Sequence, residues 1–181
     1  MAYRVKDRWY GDYRGGRRQS LNSRELKSEP QFKFDDLYIT PFTHRRRFSE
    51  DGEMQYVPLE RNLNPTGIRV MDDFVRFLSG GGSDVKVFCK RHGARVGDID
   101  AIVFLLTGMR GVDFRYAYQR RMADEMLRYT SLPVADIARL CGYGTRTNFY
   151  FAYMRDCGCP PSERRQQLQQ PKDKDLYRII Q

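Results

Sequence analysis

From residue 67 onward the chain shows one recurring pattern: apolar positions three or four apart, interrupted at short intervals by glycine. Val70, Met71, Phe74, Val75 and Leu78 share a helical face, and Gly80-Gly81-Gly82 ends that helix. Ser83 is placed to cap a second helix, with Val85, Phe88 and Cys89 on one side and Gly93 at its close. A third helix is predicted from about Gly97, and its Ile99, Ile102, Val103, Leu105 and Leu106 cover more than one face. A long helix follows from about Asp113 to Tyr129, with Phe114, Tyr118, Met122 and Met126 recurring every fourth position. Pro133 suits the first turn of the next helix, whose inner face is Val134, Ile137, Ala138 and Cys141. Past Gly142-Tyr143-Gly144 the last main helix starts near Thr145, turns Phe149, Tyr153 and Cys157 inward, and ends at Gly158 and Pro160-Pro161. Ser162–Gln170 reads as a short polar helix, and the tail after it as loosely held, with Leu176–Ile180 able to dock.

Residues 1–65 obey no such period. The opening mixes Arg, Tyr, Trp and Gly with almost no aliphatic residue, and Arg14, Arg17 and Arg18 lie close together there. Arg45, Arg46 and Arg47 form a second basic knot. Two readings are open: an arm that holds phosphates and stacks aromatics on bases, or a solvated, partly disordered extension. Gln31–Phe42 alternates enough for one short strand. Met54–Pro65, interrupted by Pro58 and Pro65, reads as an edge strand or an extended crossing segment at best. The expected organisation is an extension over 1–65, a helical domain over 66–167 and a tail over 168–181. The fold class is all-α, with two helix-turn-helix subdomains joined by a long helix.

Charge sharpens this picture. The 181 residues carry 32 Lys and Arg against 23 Asp and Glu, a net charge of +9, which favours a negatively charged partner, nucleic acid foremost. The N-terminus is charged from the start with no apolar run behind it, and no stretch has the length of a membrane helix, so a cytoplasmic protein is expected. Cys89, Cys141, Cys157 and Cys159 form no repeated CxxC pair, and with His44 and His92 they give no metal-binding spacing; buried thiols are the simpler reading. No nucleophile stands in a motif with a base, and the three glycines at 80–82 lack the Lys-Ser/Thr of a phosphate loop. Neither an enzyme nor a cofactor is expected.

The stretch Val134–Arg165 carries the most specific motif: Val134, Ile137, Ala138, Cys141, Gly142, Tyr143, Phe149, Gly158, Pro161, then Arg164-Arg165. It resembles the second helix-turn-helix of the AraC/XylS-type transcription regulators. A first unit at 84–107 matches more loosely through Val85, Phe88, Cys89, Gly93, Ile99, Gly108 and Met109. The resemblance spans about residues 67–167. It implies a seven-helix domain whose two recognition helices enter adjacent major grooves of duplex DNA, roughly 34 Å apart. Carried over, Thr145, Arg146, Thr147 and Asn148 read bases, with Arg146 suited to guanine and Asn148 to adenine. Arg95, Arg120, Arg121, Arg139 and Arg155 are the phosphate candidates. The ligand-binding barrel that many relatives carry ahead of this domain does not fit in 65 residues.

Two departures qualify the resemblance. The first recognition helix offers Gly97, Asp98, Asp100, Phe104 and Leu105 where relatives carry cations, and carboxylates aimed at a groove are repelled by phosphate. In the second, Tyr150, Phe151 and Met154 make the helix too apolar for one buried stripe. Three explanations remain open. The arginines of the extension supply the missing charge; or Phe104, Leu105, Tyr150, Phe151 and Met154 form an interface to a protein such as the transcription machinery; or the extension folds back and covers them. The leading expectation is a sequence-specific duplex-DNA-binding regulator. The alternative is a protein-interaction or architectural factor on the same scaffold.

Overall fold

A computed structural model describes residues 29–179. The elements run α1 (Phe34–Leu37), β1 (His44–Phe48), β2 (Met54–Pro58), α2 (Arg69–Ser79), α3 (Val85–Arg91), α4 (Val96–Thr107), α5 (Gly111–Tyr129), α6 (Val134–Leu140), α7 (Arg146–Cys157), α8 (Pro161–Leu168) and β3 (Tyr177–Arg178). The fourfold apolar spacing of α5 produces the expected axis: Phe114, Tyr118, Met122 and Met126 are buried along its length. Before it, α2, α3 and α4 close around Phe74, Phe88, Ile99 and Val103. After it, α6 and α7 close around Ile137, Ala138, Phe149 and Tyr153.

Local polar chemistry fixes where the helices start. Asp84, rather than Ser83, caps α3: its carboxylate accepts from the Lys86 and Val87 amides at 2.9 and 3.2 Å, two charge-assisted bonds where a hydroxyl would supply one. Asp98 accepts from the Arg95 amide at 2.8 Å at the start of α4. Asp100 accepts from the Gly111 amide at 2.6 Å and so anchors the start of α5 to the middle of α4.

The two helix pairs meet at a pair of glycines. Gly81 has φ +79° and Gly142 φ +77°, a backbone region that side chains disfavour. A Cβ on Gly81 would lie 2.3 Å from the Leu140 carbonyl oxygen, and one on Gly142 would lie 2.8 Å from the Gly81 carbonyl oxygen. Gln119 of α5 donates to the Gly142 carbonyl at 3.1 Å and holds the joint from beneath.

The fold is not purely helical. β1, β2 and β3 form an antiparallel sheet in the order β2-β1-β3. Gln31–Phe42, expected as a strand, contains helix α1 and then an extended run that packs on α5. Tyr38 and Thr40 both donate to Glu125, at 2.9 and 3.0 Å, and the Ile39 amide donates to the Tyr118 hydroxyl at 3.0 Å. The strand falls instead on Arg45, Arg46 and Arg47, which belong to β1 and not to an arm. β2 is an edge strand, as its Pro58 requires. The tail is pinned. Asp173 pairs with Arg128 at 2.9 Å, Arg46 donates to the Lys172 and Lys174 carbonyls, and Tyr177 stacks on buried Phe42 at 5.2 Å. Arg14, Arg17 and Arg18 lie outside the described residues.

Candidate nucleic-acid interface

Each helix pair is a short helix, a tight turn and a longer helix, α3–α4 and α6–α7. In the second pair the Tyr143 amide donates back to the Ala138 carbonyl at 2.8 Å, and Thr145 ends the turn as the N-cap of α7. Its hydroxyl accepts from the Asn148 amide at 3.1 Å. With Phe149 and Tyr153 buried, helical geometry leaves Arg146, Thr147, Tyr150, Phe151 and Met154 on the outside. Thr145, Arg146, Thr147 and Asn148 are thus brought together, all exposed, at the N-terminal end of α7. Their roles differ. The Thr145 hydroxyl is engaged as a cap, and the Asn148 side-chain amide donates to the Tyr143 carbonyl at 3.4 Å. Arg146 and Thr147 project without those ties.

The first pair presents a different surface. Val96, Gly97, Asp98, Ala101 and Leu105 are the exposed positions of α4, and Phe104 is half-buried. Both aspartates are occupied with backbone amides, Asp98 at the start of its own helix and Asp100 at the start of α5. Their charge stays on α4, but their geometry is that of capping groups.

The five phosphate candidates are scattered and mostly held by neighbours. Arg139 pairs with Asp136 on α6, and Arg155 pairs with Asp156 at 2.7 Å while lying 5.8 Å from the Tyr116 ring centre. Arg121 pairs with Glu125 at 3.1 Å and covers Tyr38 at 5.5 Å, so it locks the extension to α5. Arg120 is half-buried, close enough to the Cys157 thiol to act on it electrostatically. Arg95 is exposed at the N-cap of α4.

Sequence reasoning passed over two cations that the fold gathers. A groove of about 690 Å³ runs between α3, α4 and the start of α5 and reaches Gly142. Val85, Val96 and Val112 line it together with Lys86, Arg115, Asp84 and Asp100. Arg115 donates to the Ser83 carbonyl at 3.2 Å. Their spacing in sequence, on separate helices, gave no signal of this.

The apolar residues are uncovered. Leu105 is 64 % exposed, Phe151 65 %, Tyr150 44 % and Met154 38 %. The extension does fold back, but onto α5, where Phe34 and Tyr38 pack against Phe114 and Tyr118. The explanation in which the extension covers these side chains is therefore not realised by the described residues.

The four thiols are free; Cys89, Cys141 and Cys159 are buried, and burial pushes the Cys141 thiol up, away from the reactive thiolate. Among the described residues no helix is long and apolar enough to cross a membrane.

Comparison with solved structures places this architecture. The chain superposes on the C-terminal domain of AraT, a response regulator from Geobacillus stearothermophilus, with a TM-score of 0.51 and 19 % identity, over 61 % of this chain and 91 % of that one. A second likeness is to the xylose-binding transcription activator xylR, with a TM-score of 0.46 and 17 % identity, over 66 % of this chain and 33 % of that one. No family model and no curated protein matches the sequence. The chain has the fold of the AraC-type DNA-binding domain.

Proposed function

From that fold we propose that the protein is a duplex-DNA-binding transcription regulator that acts in the cytoplasm and reads sequence chiefly through α7. The observation that carries the reading is the exposed cluster at the N-terminal end of α7, where Arg146 and Thr147 stand clear of the turn that Thr145 and Asn148 close. This is the end of a recognition helix from which side chains reach base edges. Arg146 is the specificity residue, because a guanidinium donates two parallel bonds to guanine in the major groove. Asn148 contributes to adenine reading once its amide leaves the Tyr143 carbonyl. Arg95, Lys86 and Arg115 supply phosphate contacts around the groove beside α4.

Selection of bound duplexes from a random library tests this. Recovery of a defined motif by the full chain, and its loss in Arg146→Ala with retained unspecific binding, is the expected result. Binding without any sequence preference would remove the base-reading role from α7.

A second reading rests on the exposure of Leu105, Tyr150, Phe151 and Met154. Aromatic and methionine side chains of this kind anchor protein interfaces. In that case the domain binds DNA unspecifically and recruits a protein through α4 and α7. A Phe151→Lys variant separates the two: loss of a protein complex with unchanged DNA selection supports the interface.

A further inference from the structure

Among the described residues the sheet has an open edge. Antiparallel pairing joins Thr43 and Leu59, whose amide donates to the Thr43 carbonyl at 2.8 Å, and Ser49 and Glu53, whose carbonyl accepts from Ser49 at 2.9 Å. The register between them is Arg45 with Val57 and Arg47 with Gln55. Bonded pairs alternate along such a ladder, so Gln55 and Val57 turn their backbone groups toward β1. Met54, Tyr56 and Pro58 turn theirs away, to an edge with no strand beyond it among the described residues. The Arg46 amide, which donates to the Leu176 carbonyl on the β3 side, shows the same alternation.

Edge strands are commonly blunted by charge. β2 carries none: its sequence is Met54-Gln55-Tyr56-Val57-Pro58. At its turn end Phe48 and Met54 sit opposite each other, 66 % and 54 % exposed. The hairpin is also polarised. Its turn holds Glu50, Asp51 and Glu53. The other end of the sheet holds Arg45, Arg178 and the following Arg61, offset by Glu60, with Arg46 and Arg47 between the two ends.

The geometry points to a second copy of this chain as the occupant of that edge, with β2 pairing antiparallel to β2 about a two-fold axis at Tyr56. Three features fit this occupant. In that register each Tyr56 exchanges both backbone bonds with its counterpart. Each Met54 amide donates to the Pro58 carbonyl of the second copy, and the missing proline amide falls where it leaves no donor unsatisfied. Antiparallel two-fold pairing also brings the acidic turn of each copy beside Arg61 of the other, with Arg45 one strand behind it, twice by symmetry. Five-residue edges with four backbone bonds give a reversible dimer, with dissociation in the micromolar range. This surface is remote in sequence from α7 and does not depend on DNA reading.

Sedimentation velocity of the full chain over a concentration series tests it. The wild-type chain should pass reversibly from monomer to dimer. Met54→Pro removes two of the four donors and should weaken association by about tenfold or more. Circular dichroism verifies that the variant is folded. If that substitution disturbs the hairpin, charge exchange decides the matter. A Glu50→Lys/Asp51→Lys/Glu53→Lys chain and an Arg45→Glu/Arg61→Glu chain should each self-associate less than wild type, yet form a heterodimer when mixed. A wild-type chain that stays monomeric up to about 500 μM overturns the proposal, since a micromolar dimer is populated well below that. So does a dimer unaffected by folded Met54→Pro, a dimer dissolved by Phe151→Lys instead, or failure of the charge-exchanged pair to combine.

Discussion

Gly81→Ala is the sharpest probe of how the two helix pairs are held together. The substitution does two things. It places a side chain at φ +79°, which costs about 1 kcal/mol in the left-handed region. It also sets a Cβ 2.3 Å from the Leu140 carbonyl oxygen and 3.1 Å from its carbon. That neighbour is backbone at the end of α6, so relief requires the turn after α2 to separate from α6. Overpacking of this kind adds about 1–3 kcal/mol, for a total near 3 kcal/mol. At this chain length each kcal/mol lowers Tm by about 2–4 °C, so a fall of about 6–12 °C is expected. Gly158→Ala is the internal control. It has φ +72° and nothing within 4 Å of its Cβ position, so it should cost only the conformational part, a fall of about 2–4 °C. Thermal denaturation followed by circular dichroism measures both. Equal losses in the two variants would refute the contact between the helix pairs as a determinant of stability.

Arg146→Ala should reduce discrimination between the selected duplex and a scrambled one by about 1–3 kcal/mol in competition binding, leaving thermal stability unchanged. Asp100→Ala removes the acceptor at the Gly111 amide and should cost about 1 kcal/mol of stability; Asp100→Asn, which keeps an oxygen there, should cost less, and denaturant titration measures the difference. Burial holds the Tyr38 and Tyr118 hydroxyls neutral and pushes both far up, so their contribution is complete below the unfolded value near 10 and declines as pH rises above it. Each should then subtract about 1.4 kcal/mol per pH unit above about 10, and Tyr118→Phe should flatten the decline seen in denaturant titrations at alkaline pH.

The helical frame was legible because its signals are local. The fourfold spacing of Phe114, Tyr118, Met122 and Met126 names the axis, and the glycines name its breaks. The sheet was not, because its causes are distant in sequence. Nothing in His44–Phe48 reads as a strand: three consecutive arginines give no alternation of apolar and polar residues. The segment becomes one because β2 pairs with it on one side and Tyr177–Arg178 on the other. Arg46 then finds its acceptors in the carbonyls of Lys172 and Lys174, more than a hundred residues away. At the candidate site the cluster Thr145–Asn148 was legible from the motif. The division of labour within it was not, since capping by Thr145 and the Asn148 bond to Tyr143 depend on the turn's exact path.

The carboxylates of α4 change the meaning of the first helix pair. Read from sequence, Asp98 and Asp100 are charges aimed at DNA. In the fold each holds a helix start, and Asp100 joins α4 to the long helix that carries the second pair. The first pair therefore acts as a rigid support whose orientation toward α7 is set by the Asp100 bond and by the Gly81–Gly142 contact. The exposed residues of α4, Val96, Gly97, Asp98, Ala101 and Leu105, offer no side-chain donor suited to a base edge. If the proposed function holds, recognition concentrated in one helix needs sequence-independent affinity from elsewhere. On the proposed reading, phosphate neutralisation by exposed cations such as Lys86 and Arg95 would raise affinity at low salt without altering which bases α7 reads.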